Sequence, residues 1–335
     1  MQAMNEPSPM PTLPKPPTPL ASLPPPTPVC HRARAGLRLR ACGPAPRPRL
    51  LIVGCGDVGM RILPLVRAAW SMRVLTSSPE RAAKLRAAGA LPLIGNLDQP
   101  ATLARLAGLA DAVMHLAPPQ PQGSEDCRTR ALVQALARRG MVHRFVYVST
   151  TGVYGDAGGA RIDETHPLAA ATERARRRVD AEAVLRAWSR AAGVALAILR
   201  APGIYASNRE GGHPRERLLR GAPVLVPEDD VFSNHIHADD LARACVAALY
   251  RARPLRVFNA CDSSELRVGD YYDLAADLLG LPRPPRLTRS EAERRLSPQQ
   301  MSFLTESRRI DNRRLREELR LVLRYPTVEQ GLGRG

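Results

Sequence analysis

Three glycines at fixed spacing carry the clearest chemical signal in this chain. Leu50 to Gly59 reads Leu-Leu-Ile-Val-Gly-Cys-Gly-Asp-Val-Gly, an apolar run entering a Gly-x-Gly-x-x-Gly turn. Such a turn suits the diphosphate of a dinucleotide. Gly54 lets the chain turn sharply out of a strand. Gly56 has no Cβ and lets the backbone come close to a phosphate, and Gly59 lets the next helix pack tightly on the sheet. The N–H groups that open that helix, at Asp57 and Val58, then face the anion. About 20 residues further on, an acid would accept a hydrogen bond from a ribose 2′-OH and select NAD. Here the strand ends Leu75-Thr-Ser-Ser78 with Arg81 following. The hydroxyls of Thr76 and Ser77 and the Arg81 guanidinium suit a 2′-phosphate, so NADP is favoured over NAD. His235 and His237, two residues apart, would share one face of a strand and invite a metal. No third ligand has suitable spacing, Asp239 reads as a helix N-cap, and no metal is expected.

These residues need strands and helices to hold them. Strand patterns cover Leu50 to Val53, Arg73 to Thr76, Leu91 to Ile94, Ala112 to Leu116, Phe145 to Ser149 and Val194 to Leu199. Helix patterns fall between them, at Met60 to Trp70, Pro79 to Ala88, Gln99 to Ala107, Cys127 to Arg139 (capped by Gly140) and Thr172 to Ala192. The alternation predicts the α/β class, a doubly wound parallel sheet of Rossmann type that binds ligands at the carboxyl ends of its strands. Five loops converge there: Gly54 to Gly59, Thr76 to Ser78, Gly95 to Asp98, Ala117 to Pro119 and Ser149 to Thr151. A last strand at Val257 to Ala260 precedes helices at Val268 to Leu279, Glu291 to Leu304 and Asn312 to Leu321, which predict a small, mainly helical C-terminal lobe. The expected division is a nucleotide domain over 49–204 and 231–262, and a substrate-side lobe over 205–230 and 263–330.

Composition narrows the function classes. The chain has 335 residues with 44% apolar content, enough for a large core, and no apolar run long enough to span a membrane. Its six cysteines are scattered with no C-x-x-C pair, which fits a reduced, cytoplasmic protein. The net charge of +17 invites a nucleic-acid reading, but the only lysines are Lys15 and Lys84, so the excess is an arginine bias spread over many helices. Aromatic residues are 4% of the chain, too few for a base-stacking platform, and no helix-turn-helix pattern is present. Residues 1–48 hold fourteen of the 32 prolines and one acid, Glu6, and are expected to be a disordered extension. Without a continuous apolar stretch they do not read as a secretory signal; an organelle transit peptide and an extension from a misplaced start codon stay open.

Four segments in order resemble the extended short-chain dehydrogenase/reductase family, of the NAD-dependent epimerase/dehydratase type, in its atypical branch whose glycine motif starts Val-Gly-x-Gly. They are Phe145-Val-Tyr-Val-Ser-Thr-Thr-Gly-Val-Tyr-Gly155, Ile198-Leu-Arg-Ala-Pro-Gly-Ile-Tyr205, His235-Ile-His-Ala-Asp-Asp-Leu-Ala242 and Asp311-Asn-Arg-Arg-Leu-Arg-Glu-Glu-Leu319. The resemblance covers roughly residues 50 to 332. It implies a nicotinamide cofactor and a small-molecule substrate, and it implies pairing into a homodimer. It places Thr150 as the hydroxyl that hydrogen-bonds a substrate carbonyl, beside Ser149. It puts Asn96, next to Leu97, against adenine, and Leu116, Ala117 and Pro118 along the cofactor's ribose and nicotinamide end. It makes the His235–Asp240 segment structural, a joint between lobes.

One departure from the family stands out. Its catalytic device is Tyr-x-x-x-Lys, in which the lysine charge lowers the tyrosine's pKa so that the phenol can exchange a proton. No tyrosine lies between Tyr154 and Tyr205, and neither lysine is nearby. One alignment puts Thr172 at the tyrosine position and Arg176 at the lysine position; sliding the frame gives Arg174 and Arg178. Arginine can bind ribose or phosphate but cannot release a proton near neutral pH. Tyr154 and Tyr205 read as packed tyrosines, and Asp156 and Glu164 as loop carboxylates. Arg209, Arg215 and Arg217 could receive an anionic substrate. The reading is therefore an NAD(P)-dependent oxidoreductase or epimerase/dehydratase acting on a carbonyl or sugar-type small molecule, with a catalytically depleted NAD(P)-binding sensor or scaffold as the alternative. Neither reading calls for a specific nucleic acid or a membrane as partner.

Overall fold

The computed structural model describes residues 46–333. The expectation for residues 1–48 therefore lies, up to residue 45, outside the described residues. In chain order the strands are β1 (Arg49–Val53), β2 (Ser71–Thr76), β3 (Leu91–Ile94), β4 (Ala112–His115), β5 (Arg144–Thr150), β6 (Arg161–Ile162), β7 (Ala195–Ala201), β8 (Gly203–Tyr205), β9 (Val224–Leu225), β10 (Phe232–Ser233), β11 (His235–His237), β12 (Arg256–Asn259), β13 (Leu266–Arg267), β14 (Arg286–Leu287) and β15 (Arg309–Ile310). The helices are α1 (Asp57–Val66), α2 (Ala82–Ala87), α3 (Cys127–Ala137), α4 (Glu173–Ala192), α5 (Arg215–Leu219), α6 (Ala238–Arg251), α7 (Val268–Leu279), α8 (Arg289–Arg295), α9 (Pro298–Met301), α10 (Arg313–Glu318) and α11 (Val328–Leu332).

Seven strands form one sheet in the order β12-β7-β5-β4-β1-β2-β3, every pair parallel. Strand order reverses between β1 and β4, which makes a ligand crevice outside their carboxyl ends. The side-chain alternation of β1 sorts its residues onto two buried faces. Leu50 and Ile52 pack with Ile62, Leu63 and Val66 of α1 and Leu241, Cys245 and Leu249 of α6. Leu51 and Val53 pack with Leu132 and Leu136 of α3 and Ala181 and Leu185 of α4. Four short pairs complete the strands: β8–β11, β10–β13, β9–β14 and β6–β15. Among the described residues no helix is long and apolar enough to cross a membrane.

Several element boundaries differ from the pattern reading. The first helix starts at Asp57, directly on the glycine turn, and stops at Val66 rather than Trp70. The segment expected as a helix over 99–107 is a 3₁₀ helix, Pro100–Leu106. Gly140 caps nothing: α3 ends at Ala137, and Gly140 does not adopt a left-handed conformation. The helix expected over 291–304 is two helices. Pro298 cannot continue the first, and Ser297 starts the second with a capping box to Gln300. Asp239 is not an N-cap; the His237 ring nitrogen accepts the Asp239 N–H and leaves Asp239 in the first turn of α6.

Candidate functional site

The glycine turn sits at the switch point, and each glycine answers a different demand. Gly54 has φ +79°, and a Cβ there would stand 2.4 Å from the Cα and N of Ala117, so the turn lies directly on the loop after β4. A Cβ on Gly59 would meet Cys55 Sγ at 2.9 Å. A Cβ on Gly56 would meet nothing within 4 Å: its side faces open space, at the N-cap of α1, where no side chain caps the helix. That space lies before the free N–H groups of α1, which fits the diphosphate of a nicotinamide dinucleotide. Asp57, in the first turn, is half-buried. Burial alone would raise its pKa, but hydrogen bonds from Arg61 and Arg209 outweigh that and hold it below the ordinary carboxylate range. Val58 packs against the core on the α1 side of the sheet.

The neighbouring loops close around this turn. Arg81, at the end of a 3₁₀ turn after β2, reaches back so that its Nη2 donates to Cys55 O at 2.5 Å. Thr76 is buried, and its hydroxyl accepts from Ser78 N at 3.2 Å, while Ser77 is exposed. Asn96 forms a local turn in which its side-chain oxygen accepts from Asp98 N, and Leu97 packs into the core. Arg128 joins the loops after β3 and β4: it pairs with Asp98 at 2.6 Å and donates to Pro118 O and Pro119 O. Leu116 is half-buried and Ala117 buried, so this loop forms a fixed wall.

From Pro118 a cleft of about 840 Å³ runs toward the C-terminal region. Thr150 lines it, with its hydroxyl oxygen accepting from Gly152 N at 3.2 Å, which leaves the hydroxyl proton free to donate. Ser149 is 3% exposed, and its hydroxyl has no partner among the described residues. Helix α4 turns Arg174 and Arg178 to the cleft. Thr172 also lines it, but as the N-cap of α4, accepting from Ala175 N at 3.2 Å. Arg176, the sequence candidate for the lysine position, is exposed, does not line the cleft, and directs its Nε toward Ala170 O. Arg178 Nη1 donates to Tyr147 OH at 2.9 Å and Val148 O at 3.0 Å. The Arg174 guanidinium lies 4.7 Å over the ring of Phe303.

The phenols nearest in sequence are spoken for. Tyr154 is fully buried and donates to Asn259 Oδ1 at 2.7 Å, and burial pushes its pKa up to about 12. Tyr205 is packed against Gly331 and donates to Thr327 O. Asp156 accepts Ser307 N, and Glu164 accepts Asn259 N; neither lines the cleft. The far wall holds residues that sequence patterns did not single out: Tyr271, Tyr272, Phe303, Arg220 and Arg308. His235 lines this wall too, stacked on Tyr271 at 4.0 Å, and burial pushes its pKa down to about 3, so it is neutral at physiological pH. Of the three arginines proposed for anions, Arg217 lines the cleft, while Arg209 turns to Asp57 and Arg215 lies outside it.

An all-parallel sheet with this glycine turn at its switch point defines a dinucleotide-binding α/β protein of the Rossmann class. The model of the NAD dependent epimerase/dehydratase family matches residues 51–261, and the chain belongs to that family. A conserved protein of unknown function from Silicibacter pomeroyi has a solved structure 31% identical to this chain, with TM-score 0.73, covering 85% of this chain and 96% of that one. UDP-glucose 4-epimerase from Thermotoga maritima, 18% identical with TM-score 0.69, shares the fold over 85% of this chain and 96% of its own. Among curated proteins, a 4-hydroxy-2-methyl-3-oxo-4-farnesyl-3,4-dihydroquinoline-1-oxide ketoreductase from Stigmatella aurantiaca is 35% identical over 124 residues. Protein YeeZ of Escherichia coli is 28% identical over 184 residues. The matched stretches span 34% and 54% of this chain, and 37% and 63% of those two proteins.

Proposed function

We propose that this chain is an NAD(P)-dependent oxidoreductase or epimerase/dehydratase acting on a carbonyl or sugar-type small molecule. The observation that carries the reading is the open side of Gly56 at the mouth of α1, on the sheet end that also presents Thr150 to the cleft. A bound nicotinamide cofactor would take up or return hydride. Gly54, Gly56, Asp57, Val58 and Gly59 would hold its diphosphate, Thr76, Ser77 and Arg81 its adenosine ribose, Asn96 and Leu97 its adenine. Leu116, Ala117, Pro118 and Ser149 would line its nicotinamide end. Arg81, seated across the glycine turn, supports NADP over NAD. Thr150 would donate its free hydroxyl proton as a hydrogen bond to the substrate oxygen. In this reading residues 49–204 and 231–262 are the cofactor domain, 205–230 and 263–330 the substrate side, and the protein works as a cytoplasmic homodimer.

One feature favours a second reading, a cofactor-binding protein without turnover. The arginines of α4 that line the cleft are Arg174, Arg177 and Arg178, none of which can release a proton near neutral pH. Incubation with NADPH and a panel of aldehydes, ketones and nucleotide sugars separates the two. Turnover that Thr150→Val lowers about 100-fold or more supports the enzyme. Tight cofactor binding with no turnover across the panel supports the second reading.

A further inference from the structure

We propose that Arg209 is a diphosphate-binding residue for the nicotinamide cofactor, carried onto the glycine turn by the loop after β8. This rests on the reading of that turn as the cofactor site. Arg209 Nη1 bonds Asp57 Oδ2 at 2.8 Å. Asp57 is the first residue of α1, and its carboxylate lies only a few bonds from the backbone N–H that opens the helix. The ion pair thus ties the Arg209 guanidinium to the first turn of α1, the helix that opens at Gly56.

Charge explains why a guanidinium belongs there. A carboxylate at the mouth of α1 would by itself repel a diphosphate. Arg61 answers part of that charge: it grips Asp57 through Nε and Nη2, and its Nη1 extends to Asp239. Arg61 is thus committed on both sides. Arg209 is not: its side chain is partly exposed, Nη1 bonds Asp57, and Nη2 makes no hydrogen bond among the described residues. It has donors to spare for a phosphate oxygen, and charge-assisted bonds of that kind are among the stronger ones.

The loop is shaped to deliver this side chain. Gly211 takes φ +65°, and a Cβ on Gly212 would fall 2.4 Å from Arg209 Cδ and 2.7 Å from its Cγ. The arginine stem thus lies flat over Gly212, and glycine at that position is what leaves it room. The same loop continues into the cleft wall at His213 and Pro214, so a diphosphate held by Arg209 would fix the substrate wall against the cofactor.

Calorimetric titration of the full chain with NAD+ and NADP+ tests this, using wild type, Arg209→Gln and Gly212→Ala. Arg209→Gln should weaken both nucleotides about tenfold or more. Its affinity should also fall less steeply than wild type between about 50 and 500 mM salt, because one ionic contact is gone. Gly212→Ala, which displaces the stem but keeps the charge, should weaken binding in the same direction and carries the test should Arg209→Gln not fold. Affinity within twofold of wild type in both variants, or weaker affinity with the wild-type salt slope, overturns the proposal and leaves the ion pair a strut. Wild-type protein that binds neither nucleotide overturns the cofactor reading itself, and the role of Arg209 with it.

Discussion

Alanine at Gly56 and alanine at Gly54 should produce opposite phenotypes, and the contrast can be worked from the structure. At Gly56 the new methyl meets nothing within 4 Å, and the residue's φ is −76°. Apo stability should therefore change by no more than about 1 kcal/mol. At Gly54 the residue must hold φ +79° and drive its methyl into the Ala117 backbone. The left-handed conformation costs about 1–2 kcal/mol and the overlap about 1–3 kcal/mol more. For a domain of this size each kcal/mol moves Tm by about 2–4 °C. Gly54→Ala should then melt roughly 5–20 °C below wild type without any ligand. The cofactor reverses the picture. At 100 times Kd a ligand stabilises by about 2.7 kcal/mol, a shift of roughly 5–11 °C. If the Gly56 methyl takes the diphosphate's place and weakens binding about 100-fold, the same concentration stabilises by only about 0.4 kcal/mol. Differential scanning fluorimetry with and without NADP+ reads both effects. A Gly56→Ala protein that keeps the full ligand-induced shift refutes the assignment of that space to the diphosphate.

Three further outcomes follow from single groups. Arg81→Ala should weaken NADP+ about tenfold while leaving NAD+ nearly unchanged, measured by titration; equal losses for the two would remove Arg81 from the 2′-phosphate. Asp262 is buried, and burial pushes its pKa up to about 8. Unfolded, it ionises near pH 4. The folded chain therefore holds that proton more tightly, so the stability it contributes is complete below about pH 4 and drains away as pH climbs toward 8. Asp262→Asn, whose side-chain oxygen can still accept Ser264 N, should flatten that decline in urea denaturation series; an unchanged slope would assign the decline elsewhere. Glu182 accepts from Arg200 Nε at 3.0 Å and Nη2 at 2.7 Å with both side chains buried. Glu182→Gln leaves the Arg200 charge without its counter-ion and should cost about 3–5 kcal/mol by chemical denaturation; a loss under about 1 kcal/mol would show that water or another group takes over.

The parts of this fold that sequence made legible are those where one residue type admits one explanation. Gly54 and Gly59 each have a steric reason to lack a side chain, and the sheet strands are short apolar runs bounded by turn residues. Legibility ended where composition was degenerate. Helix α4 contains Arg174, Arg176, Arg177 and Arg178. Nothing in that run says which guanidinium groups face the cleft, so a frame through Arg176 and one through Arg178 read equally well. Arg209 was ambiguous for the same reason: only its contact with Asp57, far away in the chain, sets it apart. His235 and His237 do share a face, with the Tyr205 ring edge-on to both. Their separate duties depend on Tyr271 and Tyr325, which stack on them from segments whose approach no local pattern encodes.

The Glu182–Arg200 pair also governs what α4 is able to offer. A helix advances about 100° per residue, so bringing Arg176 to the place of Arg174 or Arg178 would swing the whole element by roughly half a turn. Glu182 would be dragged off β7 and stranded in apolar surroundings without its mate. The helix is pinned like a key in a lock by a charge far from the opening, and chemistry at this wall can change only by replacing residues in place, never by slipping the helix to a new setting.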